Sequence, residues 1–382
     1  MPSPKLNVLL DDDRLDAGVL ALISRLEVRE GDAGPSVLAL RLRMTQLPGG
    51  EWAPIDDADL FSPARAIAVD IEAPGGLPTR IFSGHVSHLR PHFESVEANC
   101  YVELIALGVG ALMDVEERVE AWPDRRDDEV VGEIFSRWEV DAAAVEASEI
   151  SNAQDERLLV QRESDWRFVQ RLARRNGFVA WVELDDAGKP AAYFGQLPID
   201  REVQADLTIL RAGDNLVWFD AQQLALAPTQ VLGASFDPLA KELISGEGEG
   251  ELEAMGDEGL IDAIEAGASA AKIEATTRLL RDCWPTKGAI MASSRGATDA
   301  ARFVIEGRGE LDPSLYRGLL RAHRPVLVKG VGRRLAGKWW VHAVRTTFEE
   351  GVLRQTFVLL RNELGPAGSE DFGQSAEEVD PQ

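Results

Sequence analysis

The residues best equipped for chemistry are a glycine-rich run, three closely spaced histidines, two cysteines and a few carboxylate pairs. Gly332-Arg333-Arg334-Leu335-Ala336-Gly337-Lys338-Trp339 is one residue away from a phosphate-binding loop. Such a loop needs Ser or Thr after its lysine to hold magnesium, a strand before it, and a following helix whose N-terminus faces the phosphate. Trp339 stands where the hydroxyl would be and a strand pattern follows, so nucleotide binding is not expected. The glycines read as turn formers with positive φ. His85, His88 and His92 could ligate a metal if a helix gathered them on one face. Gly84 and the preceding turn residues favour a strand, which sends His85 and His88 to opposite faces, with Pro91 breaking the run before His92. Asp11, Asp12, Asp13 and Asp16 lack the glycine and distal glutamate of a calcium loop and read as a solvated acidic loop. Glu349-Glu350 shows neither the cleft nor the spacing that glycosidase chemistry requires. Cys100 and Cys283 have no zinc-like spacing and read as two buried thiols. No GxSxG, HExxH or Cys/His nucleophile pair occurs. No catalytic residue, metal or cofactor is expected.

The first third of the chain carries strand patterns. Leu38, Leu40, Leu42 and Met44 alternate with Ala39, Arg41 and Arg43, and Ile67, Val69 and Ile71 repeat the period of two. Arg80 to Leu89 and Cys100 to Leu107 add two more runs, separated by Gly/Pro turns in the manner of a barrel or sandwich. The period then changes. From Asp127, read as an N-cap, Val130, Val131, Ile134, Phe135 and Trp138 fall on one helical face. A second helix starts at Ser164, buries Trp166, Val169, Leu172 and Ala173, and stops at Asn176-Gly177. Phe178 to Leu184 and Ala192 to Phe194 follow as a hairpin. Thr208 to Leu210 and Leu216 to Phe219 are short strand candidates. Helices are expected over Ser269 to Cys283, Thr298 to Ile305 and Pro313 to Ala322. Strands return at Val326 to Val331, Trp339 to Phe348 and Val352 to Leu360. Adjacent on a strand, Trp339 and Trp340 must face opposite sides, one filling a core and the other a contact between domains or subunits.

These readings divide the chain into a first β domain over 1–118, a small α/β domain over 119–200, and a second β domain over 201–364. The last carries a flexible acidic loop at 246–259 and a helical insertion at about 260–323. A polar tail over 365–382 reads as disordered. With 382 residues and 45% hydrophobic content, the chain can hold two or three cores. Its net charge of −25 opposes general nucleic-acid binding. Val326 to Asn362 runs against that average, with seven basic residues to two acidic ones, a net +5 that could meet a charged partner. No run approaches a membrane span, and the opening MPSPKLNVLLDDD does not read as a signal peptide. Synthesis in the cytosol is the expectation.

Two blocks then carry a family likeness. Glu163, Ser164, Asp165, Phe168, Arg171, Leu172 and Gly177 lie in QRESDWRFVQRLARRNGF. Gly330, Gly332, Gly337, Trp339, Trp340, Val341, Phe357, Arg361 and Asn362 lie in the closing KGVGRRLAGKWWV…FVLLRN. In type and order they resemble the phage late control protein D and VgrG-like family, hubs of contractile tails and injection systems. FSGHV at Phe82 to Val86 resembles a strand of that family's first barrel, and the likeness covers most of residues 5–364. The resemblance implies an α+β, mainly β fold with two tail-tube-like barrels around a small α/β domain. It implies a homotrimeric ring joining a sixfold inner tube protein to a separate spike protein among other baseplate proteins, with a mechanical role and incorporation into a phage-tail-like particle. The rival readings are a cell-wall hydrolase or other enzyme of the same particle, and a single-barrel tube or adaptor protein.

Overall fold

The computed structural model describes residues 4–31, 34–56, 62, 64–152, 158–237, 241–273 and 277–368. The first section forms β1 (Lys5–Leu10), β2 (Ile23–Gly31), β3 (Val37–Arg43), β4 (Ala66–Glu72), β5 (Pro78–His92) and β6 (Tyr101–Gly108). A central section forms β7 (Glu117–Trp122), α1 (Asp127–Arg137), β8 (Asp141–Val145), β9 (Leu159–Ser164), α2 (Asp165–Asn176), β10 (Val179–Leu184) and β11 (Pro190–Gly195). The last section forms β12 (Gln204–Thr208), β13 (Leu216–Gln223), β14 (Gln230–Asp237), β15 (Glu242–Glu247), α3 (Leu260–Ala270), α4 (Lys287–Ala301), β16 (Ile305–Leu311), β17 (Pro325–Lys329), β18 (Gly337–Glu349) and β19 (Val352–Arg361). Short pairs and single turns complete the chain.

One 13-stranded sheet runs through the first and last sections in the order β13-β16-β19-β18-β2-β3-β6-β5-β4-β1, ending on the two-residue strand Asp13–Arg14 beyond β1, with β17 and β12 attached beside β18. The fold is thus α+β and mainly β. Alternation decides which face of each strand is buried. Leu38, Leu40 and Leu42 of β3 join Val69, Phe82, Val102 and Leu104 in one core. Val326, Val328, Trp339, Val341, Phe357 and Leu359 build a second. A third core lies between α1, α2 and the three-stranded sheet β8-β11-β10, around Ile134, Phe135, Phe168, Leu172 and Phe194.

Several sequence expectations need correction. Pro91 does not break β5, which runs through it to His92. Beyond His85 that strand pairs with β6 alone, and a strand with one neighbour is where proline is tolerated. The helix expected from Ser269 to Cys283 is replaced by α3, nine residues earlier at its start, and by a short strand Thr277–Leu279. The one expected at Thr298 to Ile305 is the end of α4, and Ile305 already begins β16 of the large sheet. Pro313 to Ala322 holds only the single turn Pro313–Tyr316. Asp127 is the first residue inside α1, not its cap, and its side chain is fully buried. Cys100 is buried as expected, but Cys283 is exposed. The polar tail over 365–382 lies mostly outside the described residues.

Candidate functional site

The family-motif residues meet at the junctions between sections. In the first block, Ser164 caps α2 by accepting from the Arg167 N–H at 3.3 Å. Glu163, near the end of β9, accepts from the Arg171 guanidinium of α2 at 2.6 Å. Asp165 is 1% exposed and ties the start of α2 to the end of α1. It accepts from Trp138 Nε1 at 2.8 Å and Gln161 Nε2 at 2.7 Å, with Arg137 at 3.4 Å. Phe168 and Leu172 are fully buried in the third core. Gly177 closes the helix with φ +69°, and a Cβ there would lie 2.2 Å from Ala292 O. A Cβ on Gly296 of α4 would likewise lie 2.4 Å from Gly177 O, so the two backbones touch. The glycine is needed for this approach as well as for the left-handed cap.

The same end of α2 closes over a buried carboxylate. Asp127 accepts from Asn152 Nδ2 at 2.9 Å and Asn176 Nδ2 at 2.8 Å, with Arg175 at 3.4 Å. Burial pushes its carboxyl above the ordinary value, and these partners recover only part of that shift.

In the second block, Gly330, Gly332 and Gly337 have φ of +90°, +81° and +126°. Gly330 passes so close to Ile209 O that a Cβ would lie 1.8 Å away. The phosphate-loop look-alike is a turn running directly into β18. Trp339 fills the second core and donates Nε1 to Leu335 O at 2.9 Å. Trp340 points the other way and packs with Trp181, Ile199 and Met255 between the central section and the sheet. There Trp181 lies between the rings of His323, 4.1 Å away, and Tyr193, 4.6 Å away. Arg201 covers Tyr193 at 4.8 Å and pairs with Glu183 at 2.8 Å. Burial also pushes the Tyr193 hydroxyl up to about 12.

Burial raises the Glu183 carboxyl, but His323 and Arg201 overcome that and hold it below the ordinary value. A lowered carboxylate contributes stability above its unfolded pKa that disappears as pH falls through the folded one. Thermal stability should therefore decline below about pH 4. Glu183→Gln should lose about 1 kcal/mol at pH 7 and flatten that acid limb, read by melting temperature across pH 3 to 7. An unchanged acid limb would remove Glu183 from the account.

Arg361 and Asn362 close the block. The Arg361 guanidinium is fully buried and donates to Leu335 O at 3.1 Å, Ala336 O at 3.0 Å, Met255 O at 2.9 Å and to Gly365 O. Asn362 accepts from the Met255 N–H and donates to Glu253 O, both at 2.9 Å. Glu363 then accepts the Leu260 N–H at 2.7 Å, at the start of α3. The glycine- and glutamate-rich stretch 246–259, expected to be flexible and exposed, is mostly exposed but is anchored here through Met255, at 1% exposure.

Glu183, Trp181, His323, Arg201 and Glu363 were missed. Glu363 adjoins the Arg-Asn pair in sequence, whereas nothing local marks the other four. The basic stripe of the closing hairpin is largely neutralised within the chain. Lys329 pairs with Asp206, Arg334 with Glu258, Arg345 with Glu27 and Arg354 with Glu310.

His85, His88 and His92 do not converge. His92 stacks on Tyr101 at 4.7 Å and meets Glu94 at 3.0 Å, while His88 bonds Ser87 at 2.8 Å. Asp16 caps a short helix and Asp11 pairs with Arg65. Among the described residues no three His, Cys, Asp or Glu side chains gather as a metal would need. Among the same residues no helix is long and apolar enough to cross a membrane. The arrangement is a set of buried polar clasps and aromatic packing that locks three sections together.

A family model described as phage tail baseplate hub (GPD) matches residues 40–228. The 43 kDa tail protein of prophage MuSo2 from Shewanella oneidensis superposes with a TM-score of 0.60 at 11% identity, covering 94% of this chain and 99% of that one. A tail protein from Neisseria meningitidis gives 0.62 at 10% identity, covering 94% and 97%. Prophage tail protein gp18 from Listeria monocytogenes gives 0.51 at 9%, covering 94% of both chains. At such identities the likeness is one of fold. No curated protein matches.

Proposed function

Because the chain belongs, through residues 40–228, to the phage tail baseplate hub family, we propose that it is a structural hub whose two β sections act as tube-like barrels in a homotrimeric ring. One face of the ring receives the sixfold inner tube and the other a separate spike protein, within a contractile tail or injection system. The observation that carries this reading is the doubled sheet, in which the first and last sections join edge to edge through β18 and β2. A chain holding two such units turns three copies into six places around an axis. The central section, clasped to both, holds the units at a fixed angle. The work asked of the protein is load-bearing contact, for which buried clasps serve better than a cleft.

Native mass measurement of the purified chain, alone and mixed with its tube and spike proteins, tests the reading. A species of three times the chain mass that binds both is expected. A monomer indifferent to both would overturn it, and release of soluble fragments from peptidoglycan would favour the hydrolase instead.

A further inference from the structure

The first and last sections repeat one strand plan, and the seam joining them has a counterpart left open. β18 sets Trp340 opposite Pro325 of β17, then bulges between Val341 and Ala343 as it runs along β19. β5 sets His85 opposite Ala66 of β4, then bulges between Val86 and His88 as it runs along β6. Laying His85 on Trp340 therefore lays bulge on bulge. The backbone agrees, since Val86 exchanges bonds with Arg65 and Ala64 as Val341 does with Arg324 and His323. Carried outward through β6 and β3 on one side, and β19 and β16 on the other, the registers lay β2 on β13, with Glu27 on Asp220. Those two strands also bulge at one matching place, Ser24 and Val217.

Past its bulge, the edge of β18 takes β2, from Ala343 opposite Gly31 to Glu349 opposite Arg25. Among the described residues the same edge of β5, from Ser87 to His92, takes no strand, and β13 ends the sheet with its outer edge bare. We propose that β13 of one copy pairs with β5 of the next in the register of the internal seam. Leu89 then faces Gln223, Arg90 faces Gln222, Pro91 faces Ala221 and His92 faces Asp220 of the next copy.

Charge supports this occupant. In the internal seam Glu27 lies 3.6 Å from Arg345 across the two strands. Asp220 and Arg90 hold the corresponding places, both exposed, so the acid–base match carries over. Phe93 at 53% exposure and Trp218 at 42% flank the two bare edges, a combination that monomeric proteins avoid because it invites pairing. The correspondence stops at Gly31, whose backbone comes so close to His342 O that a Cβ would lie 2.1 Å away. Leu224 takes that place after β13, so the new seam ends at Leu89. Each copy offers one edge of each kind, a heterologous contact that closes into a ring. That the ring holds three copies rests on the hub reading.

The test is oxidation of full-length Arg90→Cys/Gln222→Cys in a Cys283→Ser background, with native mass measured in parallel. Cross-strand neighbours lie within about 5.5 Å, so disulfide-linked dimers and trimers are expected on a non-reducing gel, and neither single-cysteine variant should form them. Asp220→Arg should weaken association at least tenfold, and adding Arg90→Glu should restore it. A trimer by mass that forms no link, at this pair or at Leu89→Cys/Gln223→Cys, would overturn the edge pairing and leave the hub reading standing. Links in a species that never reaches three copies would do the reverse, and a monomer without links would sink both.

Discussion

Replacing Arg361 with alanine is expected to destabilise the last section by about 3–5 kcal/mol, the usual result of deleting one side of a buried, hydrogen-bonded charge. The guanidinium reaches four carbonyls on three stretches of chain, at Leu335 and Ala336, at Met255 and at Gly365, and lies over the Trp339 ring at 5.6 Å. Alanine would take the guanidinium donors from all four oxygens, leaving Leu335 O with only the Trp339 indole. The melting temperature should fall by about 10 °C. Arg361→Lys should recover little, because an ammonium cannot span the separate acceptors of a planar fork. The specific readout is limited digestion by a glutamate-directed protease, mapped by mass. Cleavage after Glu249, Glu251 and Glu253 should become fast in Arg361→Ala and stay slow in the parent chain. Equal rates would mean that this stretch is held by something other than the clasp.

Trp340→Ala should cost about 3–5 kcal/mol as a large buried aromatic removed from a packed site. Trp340 is 2% exposed and is the sheet's contribution to the cluster with Trp181, Ile199 and Met255. It also forms one wall of a cavity of about 220 Å³ beside Phe178, Leu252 and Phe303, so the truncated site would enlarge an existing void and collapse poorly. Heat unfolding should split into two transitions as the central section loses its hold on the sheet. A double-mutant cycle with Trp181→Ala should show coupling above about 1 kcal/mol. Trp340→Phe should keep most of the stability. A single transition with little loss would place the joint elsewhere.

Much of the architecture was legible because strands and amphipathic helices write their period locally. The runs around Leu38, Ile67 and Val102, the Ser164 to Gly177 helix and the closing hairpin appear within a residue or two of their expected places. The region from Leu260 to Ala322 was misread because its segments are short and alanine- and glycine-rich. Ala, Gly and Ser pack closely against backbone, as Gly296 does against Gly177, yet leave little apolar period to read. The acidic stretch 246–259 is largely exposed, as its composition implies, but Met255 within it is not. Composition predicts solvation, and Met255 is buried only because Arg361 and Asn362, about a hundred residues later, receive its backbone.

The strand at Trp339 and the strand carrying His85 and His88 were equally readable, since both follow from local pattern. By itself, then, the sequence determined the kind of element at most positions, the absence of recognisable catalytic motifs, and the two blocks that resemble the hub family. Only the tertiary structure decided what those blocks are for. Asp165 meeting Trp138, Trp340 meeting Trp181, and Arg361 meeting Met255 are contacts between distant segments. So is the matched register of β18 with β5, which appears only when pairing partners are known. Local patterns follow from the period of a single element, while contacts and register depend on which elements pack together, and no single stretch of chain encodes that.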